Sequence, residues 1–394
     1  MQPAPVGEEA VSMRMLEGIR IVDLTTVIFG PYATQMLADL GAEVIKVEAP
    51  GGDVSRYLGR SAKTPGSGST HLTVNRGKKS VVLDLKQPDD AKVLANLIKT
   101  ADVVVHNVRA KAIERLGFGY AECRALKEDI IYLHCAGFGQ DGPYADYPAY
   151  DDVIQAGSGI CSLASRVDGN PQPRYVASVI ADKVSGHYCA QAILVALIHR
   201  LRTGEGQQVE VPMFEAFTNF VLEEHLQDAT TIPPLGPICY PRQIDPARQP
   251  FPTQDGYLSI IPYTDAKMVE LFDLLGAPGL LAKEGLDSQP ARAAAPTRLY
   301  ELIAALTPAR TTQQWLDVLT PAQFPAIPAY DIADVFTDPH FLATGFFREV
   351  EHPSEGRYRQ MQPPLRFSAD PDRKIGHAPN LDADGPAIRA EFGG

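Results

Sequence analysis

Strand-like and helix-like segments alternate along the first half of the chain, and this alternation limits the fold more than any other feature. Residues 18–24 are typical of a strand, 30–41 of a helix and 42–48 of a second strand, so together they form a β-α-β unit. The pattern then continues with strands at 80–85, 102–106 and 130–134 and helices at 89–100 and 111–116. Strands separated by helices pair in parallel, and helices cover both faces. We therefore predict an α/β fold built on a parallel sheet.

The first turn of this unit argues against one common ligand of such folds. Glu48 ends the second strand, as an acidic residue does in dinucleotide-binding folds. Residues 25–31, however, lack the three spaced glycines that let a pyrophosphate approach the backbone. We do not expect a nicotinamide cofactor.

The length of 394 residues exceeds what one hydrophobic core usually fills, so we expect two domains. Prolines crowd the stretch 231–252, which excludes long helices there. The predicted parts are a flexible N-terminal tail (1–15), a large domain (16–227), a Pro-rich linker or lid (228–252), a small α+β domain (253–335) and a C-terminal segment that returns to the large domain (336–394).

Composition excludes several functional classes. The longest apolar run, 190–198, is too short to span a bilayer, and the N-terminus lacks the pattern of a signal peptide. A net charge of −12 argues against nucleic-acid binding. The five cysteines are widely separated and form no Cys-x-x-Cys pair, which favours a reducing cytoplasm over a disulfide framework or a zinc site. We expect a cytoplasmic protein that binds neither metal nor membrane.

Residues 76–115 form a basic segment in this acidic chain. The segment holds nine Lys or Arg against five Asp or Glu. Such a cluster suits a small polyanion, but it is more often a solvated helix and turn surface. Composition alone leaves both interpretations open.

Asp182 is the most conspicuous candidate for chemistry, because it precedes a long run with helical apolar spacing. One interpretation makes it the N-cap of that helix, since Asp is a favoured capping residue. The other makes it a nucleophile, because the helix dipole favours the ionised carboxylate that can attack an electrophilic carbon. The two interpretations are compatible.

Several segments together resemble the family III CoA-transferases, the group that contains formyl-CoA transferase and carnitine CoA-transferase. The resemblance extends from about residue 16 to 370. The matching segments are 16–24 (LEGIRIVDL), Gly30-Pro31, 40–48 (LGAEVIKVE), 75–86 (NRGKKSVVLDLK), 101–109 (ADVVVHNVR), 137–143 (GFGQDGP), 150–155 (YDDVIQ) and 202–207 (RTGEGQ). Their common order makes the resemblance specific.

This resemblance implies a Rossmann-like large domain, a smaller domain and an interlocked homodimer. It places Asp182 on the family's nucleophile, which attacks an acyl-CoA thioester to give a mixed anhydride and then an aspartyl-CoA thioester. Coenzyme A and acyl-CoA are then substrates rather than permanently bound cofactors. Gly157 and Gly159 are candidate backbone donors to the oxyanion.

The resemblance also implies a CoA site. The positions that line it in the family are Val27, Ile28, Leu83, Asp84, Leu85, Lys86, Asn107, Val108, Arg109, Arg115, Tyr150 and Asp151. Ala49 and Pro148 stand where some members carry Arg and Lys, so contacts to adenine and phosphate differ here. The Pro-rich stretch has no counterpart of the glycine-rich lid of formyl-CoA transferase.

Other functions remain open at this point. The same fold hosts α-methylacyl-CoA racemases, but Tyr150 stands where they carry a His, and a phenol with a pKa near ~10 is a poor base. Intramolecular CoA migration, a non-catalytic acyl-CoA binding protein, and a hydrolase using Cys161 or Cys189 are further alternatives. For a second substrate carboxylate, the candidate partners are Arg56, Arg60, Arg166, Arg174 and Arg242.

Overall fold

The computed structural model describes residues 14–371 and 373–393. Residues 1–13 of the predicted tail therefore lie outside the described residues. The chain divides into two compact units. The first unit contains the chain up to Ser158, Tyr175–Phe220 and the segment from Thr344 onward. The second unit contains Gly159–Arg174 and Val221–Ala343.

A six-stranded parallel sheet forms the centre of the first unit, which confirms the predicted α/β fold. Its strand order is β3-β2-β1-β4-β5-β6, the order found in dinucleotide-binding folds. The two smaller sheets are antiparallel, with β10 and β11 in one and β7, β8 and β9 in the other. The strands are β1 Arg20–Leu24, β2 Glu43–Glu48, β3 Lys79–Val82, β4 Val103–His106, β5 Ile131–Ala136, β6 Gln207–Pro212, β7 Phe251–Pro252, β8 Tyr257–Ile260, β9 Ala326–Pro328, β10 Phe347–His352 and β11 Gly356–Met361.

Helices cover the large sheet because their apolar stripes match its buried strands. In α3, Pro88 starts the helix, and Val93, Leu94, Leu97 and Ile98 are buried against the sheet core. The helices are α1 Phe29–Asp39, α2 Ser69–Val74, α3 Pro88–Ile98, α4 Ala110–Arg115, α5 Tyr120–Leu126, α6 Asp151–Ser158, α7 Leu163–Asp168, α8 Ile180–Thr203, α9 Met213–His225, α10 Asp265–Leu274, α11 Leu280–Lys283, α12 Gln289–Ala294, α13 Pro296–Leu306, α14 Thr312–Leu319, α15 Pro339–Thr344 and α16 Gly385–Phe392.

The second unit has its own core around Trp315, Leu271 and Phe272, all nearly inaccessible to solvent. The Trp315 indole N–H donates to the carbonyl of Thr307 at 2.7 Å, so the one polar atom of this side chain is satisfied. A capping box at Thr311 and Gln314 starts the helix that carries Trp315. The strand β8 and the helices α10, α13 and α14 supply most of this core.

Within the described part of the chain, no helix combines the length and apolarity needed to cross a bilayer. The five cysteines, all of which fall in that part, are buried and form no disulfide.

Candidate active site

A cavity of about 230 Å³ opens at the carboxyl ends of β1, β4 and β5. Val27 follows β1, Asn107 and Arg109 follow β4, and Cys135 lies near the end of β5. Asp182 also lines the cavity. In open parallel sheets, ligands bind at the carboxyl ends of the strands where the strand order reverses, and here that point lies between β1 and β4. The position of the cavity therefore marks it as the candidate active site.

Asp182 lies in the first turn of α8 and is not the N-cap. The N-cap is Val179, which has no capping side chain, so the capping interpretation of Asp182 is wrong. Asp151, the first residue of α6, supplies the missing acceptor from another element. One of its carboxylate oxygens accepts the amide N–H groups of Ala181 at 2.7 Å and of Asp182 at 3.1 Å. The helix start is thus capped across the fold, which leaves the Asp182 carboxyl group free to face the cavity.

The environment of Asp182 favours its neutral form. Only 9% of the residue is exposed. Burial, and then the like charge of Asp151, raise the pKa of Asp182 to about 7. At neutral pH the group is therefore divided between a carboxylic acid and a carboxylate of enhanced basicity.

The turn after β1 is held in an unusual conformation at the edge of the cavity. Val27 has a φ of 70°, a left-handed value that costs a β-branched residue roughly 1–3 kcal/mol. Two neighbours fix it. The Asp53 carboxylate accepts the Val27 amide at 2.9 Å, and the Asn107 side chain accepts the Thr26 amide at 3.0 Å and donates to the Thr26 carbonyl at 2.9 Å.

Two buried ion pairs lie next to this turn and stabilise it. The Lys78 ammonium lies 3.0 Å from Asp23, and the Lys46 ammonium lies 2.8 Å from Asp53; all four side chains are inaccessible to solvent. Burial alone would raise the pKa of Asp23. The charges of Lys78 and Lys46 and two threonine hydroxyls outweigh burial and hold that pKa well below its usual range. The Asp23 carboxylate is therefore ionised and structural.

Part of the basic segment 76–115 serves the same structural purpose. Arg76 pairs with Asp39 at 2.6 Å, in addition to the Lys78 pair already described. Glu48, which ends β2, is bound by Arg56 at 2.6 Å, and both side chains are almost completely buried. Arg56, which lies outside the basic segment, is therefore not available to a second substrate carboxylate.

Within the basic segment, Arg109 and Arg115 are exposed, in contrast to the buried Arg76 and Lys78.

The chain matches the family model described as CoA-transferase family III over residues 16–385. It is 33% identical over 390 residues to the succinate–glutarate CoA-transferase of Agrobacterium fabrum, covering 96% of this chain and 95% of that one. The chain belongs to CoA-transferase family III. The enzyme is also 33% identical over 386 residues to the acetyl-CoA:oxalate CoA-transferase of Acetobacter aceti, covering 95% of both chains.

A solved structure shares the fold of this family III CoA-transferase. The CAIB/BAIF family protein from Brucella suis superposes with a TM-score of 0.81 at 31% identity, covering 96% of this chain and all of that one. CoA thioesters are substrates of such enzymes. Among the described residues, no group of three or more His, Cys, Asp or Glu is arranged to hold a metal ion.

In the transferase, four of the predicted CoA-binding residues line the same cavity as Asp182: Val27, Asn107, Arg109 and Tyr150. The others lie elsewhere. Leu83 is buried in the sheet core, and Asp84, Leu85 and Lys86 follow it beyond β3. Ile28 precedes α1, Val108 lies between Asn107 and Arg109, and Arg115 ends α4. Asp151 is buried, with its carboxylate bound to the α8 amides and to Gln155.

Most residues of the cavity wall were not among the predicted site residues, and two of them carry side chains of chemical interest. His134 and Cys135, from the end of β5, line it. Burial lowers the pKa of His134 to about 4, and its ring stacks on His106 with centroids 4.5 Å apart, so His134 is neutral at pH 7. A continuous apolar run identifies β5 as a strand, but only the sheet order shows that its end meets Asp182.

Proposed function

We propose that this enzyme transfers CoA from an acyl-CoA thioester to a carboxylic acid, with Asp182 as the nucleophile. The observation that carries the proposal is the Asp182 carboxyl group, which is buried in the cavity and has a pKa raised to about 7. A more basic carboxylate is a better nucleophile. Surroundings of low polarity further increase its reactivity toward a thioester carbonyl.

Each step of the proposed reaction exchanges one bond at a carbonyl carbon. The Asp182 carboxylate attacks the thioester and expels CoA thiolate, which forms an acyl-aspartyl anhydride. The thiolate attacks the aspartyl carbonyl and releases the donor acid as its carboxylate. The acceptor carboxylate then attacks the aspartyl-CoA thioester and expels CoA thiolate. That thiolate attacks the acceptor carbonyl of the new anhydride and regenerates Asp182.

The oxyanion formed at each step needs N–H donors. Gly157 is a weak candidate, because it lies inside α6, where the helix uses its backbone groups. Gly159 belongs to the second unit and has a left-handed φ of 90°, as a turn residue often has. The proposal therefore rests on Asp182 and assigns no oxyanion donor.

We place CoA along the carboxyl edge of the sheet, from residues 83–86 beyond β3 to the cavity beside Asp182. In the order β3-β2-β1-β4, residues after β3 and after β4 are three strand spacings apart, roughly 14 Å. An extended CoA molecule spans such a distance. The exposed cations Lys86, Arg109 and Arg115 would face its phosphates.

The interlocked homodimer and cytoplasmic location remain part of this proposal. The exposed apolar side chains of Val195, Ile198 and Leu201 on α8 support a dimer, because a monomer gains nothing by presenting such a row to water. Light scattering on the purified chain tests it: a mass near 43 kDa would reject the dimer.

Trapping the covalent intermediate tests the proposed function. Wild type, Asp182→Ala and the matched control Asp152→Ala, which removes an exposed carboxylate of α6, are each mixed with succinyl-, glutaryl-, oxalyl- and acetyl-CoA and quenched with hydroxylamine. We expect mass spectrometry to locate a hydroxamate at residue 182 in wild type and in the control only. A hydroxamate elsewhere, or none with any ester while substrates are turned over, would reject Asp182 as nucleophile.

A racemase is the main competing function, and the same samples test it. A racemase exchanges the α-proton of a branched acyl-CoA with solvent and forms no aspartyl adduct. Deuterium incorporation without a hydroxamate at Asp182 would favour it. The relatives named as CoA-transferases make transfer the stronger proposal.

A further inference from the structure

The second unit contains a separate cavity of about 780 Å³, within the range of small-molecule sites. We propose that this cavity binds a small carboxylic acid with an apolar body. The proposal goes beyond the chemistry at Asp182, because every residue that lines this cavity belongs to the second unit.

Arginines give the cavity an excess of positive charge. Arg242, Arg248 and Arg292 all line it. Arg292 is already neutralised, because its guanidinium is paired with Asp265 and also donates to the Leu286 carbonyl. The other two have no such counterion among the described residues. Arg242 donates through Nε to the Tyr300 hydroxyl at 3.1 Å. Among the residues that the structure describes, Arg248 has no side-chain hydrogen-bond or ion-pair partner.

No carboxylate of the cavity wall offsets this charge: among the described residues that line it, none is Asp or Glu. The nearest acidic group in sequence, Asp245, is committed elsewhere. It accepts the Ala247 amide at 2.8 Å and the Thr297 hydroxyl at 2.7 Å. Two guanidinium groups are therefore left to bind an anion, and guanidinium matches the two oxygens of a carboxylate especially well.

The remainder of the cavity wall suits an apolar body rather than a second charged group. Phe251, Ile260, Met268, Leu299 and Ile303 line it from the strands and helices of the unit's core. A ligand with one carboxylate at the arginines and a hydrocarbon or aromatic portion against these side chains would satisfy both surfaces.

Arg242 and the chain segment that carries both unpaired arginines are held in place, which favours a built site over a chance surface cluster. Tyr300, on α13, fixes the guanidinium of Arg242. The Thr297 hydroxyl, on the same helix, ties the 240–250 segment to α13 through Asp245. The Pro-rich stretch predicted as a linker or lid thus forms one wall of the cavity, and its prolines reduce the entropy lost on binding.

Equilibrium binding without CoA tests the proposal on the full-length protein. Calorimetry is performed with the monocarboxylates butyrate, 3-methylbutyrate and phenylacetate, and with sulfate to detect unspecific anion binding. The variants are Arg248→Gln, the double variant Arg242→Gln/Arg248→Gln, and Lys283→Gln, which removes an exposed cation of the same unit outside the cavity. Asp182→Ala is included to separate this site from the candidate active site.

We expect at least one acid to bind wild type, Asp182→Ala and Lys283→Gln alike, and to bind Arg248→Gln about tenfold more weakly, with a further loss in the double variant. Equal affinity in the arginine variants and Lys283→Gln, binding of sulfate as tightly as the acids, or no binding at all would overturn the proposal. Because the Arg248 side chain has no hydrogen-bond or ion-pair partner in the described part of the chain, its variant should melt at the wild-type temperature, so loss of binding cannot be attributed to unfolding.

Transfer kinetics show whether the bound acid is the acceptor of the reaction or a separate ligand. If the bound acid is the acceptor of the reaction, Arg248→Gln raises the KM for that acceptor by the same factor as its Kd and leaves hydroxamate formation at Asp182 intact. If it is a separate acid, the acceptor KM is unchanged and the added acid alters the wild-type rate but not that of Arg248→Gln. Failure of the trapping experiment at Asp182 would leave both binding results standing.

Discussion

Two buried aspartates near the carboxyl edge of the same sheet have charged neighbours of opposite sign. Asp23, at the end region of β1, is completely buried and paired with Lys78 at 3.0 Å. Asp182, in the first turn of α8, is nearly as buried but has the Asp151 carboxylate as its charged neighbour. The pKa of Asp23 is lowered, whereas that of Asp182 is raised to about 7.

The comparison separates a structural carboxylate from a reactive one. Burial raises the pKa in both cases, so burial does not distinguish them. The sign of the neighbouring charge distinguishes the two carboxylates. A paired carboxylate has lost its affinity for both protons and electrophiles, while an unpaired one beside a like charge retains that affinity and destabilises the fold.

The largest expected effect is the loss of transfer in Asp182→Asn. The amide cannot form the anhydride, so we expect kcat to fall by at least roughly 10⁴-fold, as for other covalent nucleophiles. A chromatographic assay of steady-state CoA transfer measures this loss in kcat. Asp152→Asn should retain activity within about twofold. Retention of a tenth or more of the rate in Asp182→Asn would place the chemistry on another residue.

The next effect concerns Asp23→Asn, which leaves Lys78 buried without its counterion. Burial already lowers the pKa of Lys78 to about 8, even with Asp23 present. We expect a loss of about 3–5 kcal/mol in the free energy of unfolding at pH 7, measured by urea denaturation. Lys79→Gln is the matched control. It breaks a half-exposed pair with Glu43 and should cost less than about 1 kcal/mol.

The third effect is opposite in sign, because Asp182→Asn should stabilise the protein at alkaline pH. The folded state binds the Asp182 proton more tightly than the unfolded state, so ionisation of this group costs stability as the pH rises from about 4 to about 7. We expect the variant to gain roughly 2–4 kcal/mol over wild type at pH 8. The difference should vanish near pH 4. A destabilised variant at pH 8 would contradict the assigned environment.

The smallest effect is a shifted pH profile in Asp151→Asn. Asparagine can still accept the amides of Ala181 and Asp182, but it removes the like charge. The pKa of Asp182 should fall toward its ordinary value, and the acid limb of the kcat/KM profile should move down from near pH 7 by about one unit. A lower rate with an unmoved limb would mean that Asp151 acts only as a helix cap.

The sequence predicted the fold well because the signals are local. Buried strands such as 103–106 are continuous apolar runs, and helices such as α3 start at a proline and carry a regular apolar stripe. The strand order could not be derived from these segments, since it depends on which strand edges meet. That order is what brings the turns after β1 and β4 together at Asp182.

The site was predicted less completely, because its key contacts are long-range. The sequence indicated a helix start near Asp182, but the acceptor for the first amides is 31 positions earlier, at Asp151. The basic segment was ambiguous for the same reason. Lys78 and Lys79 are adjacent in sequence, yet Lys78 is buried in an ion pair with Asp23, whereas Lys79 is half-exposed. Only the register of β3 in the sheet distinguishes them.

The left-handed Val27 bears on any attempt to improve this enzyme by laboratory evolution. Glycine adopts a φ of 70° without steric cost, so Val27→Gly removes local strain and will be favoured by selection for heat resistance. Selection for turnover would act differently, because the valine side chain forms part of the cavity wall beside Asp182. Libraries screened only by melting temperature will therefore tend to drift away from activity at this position.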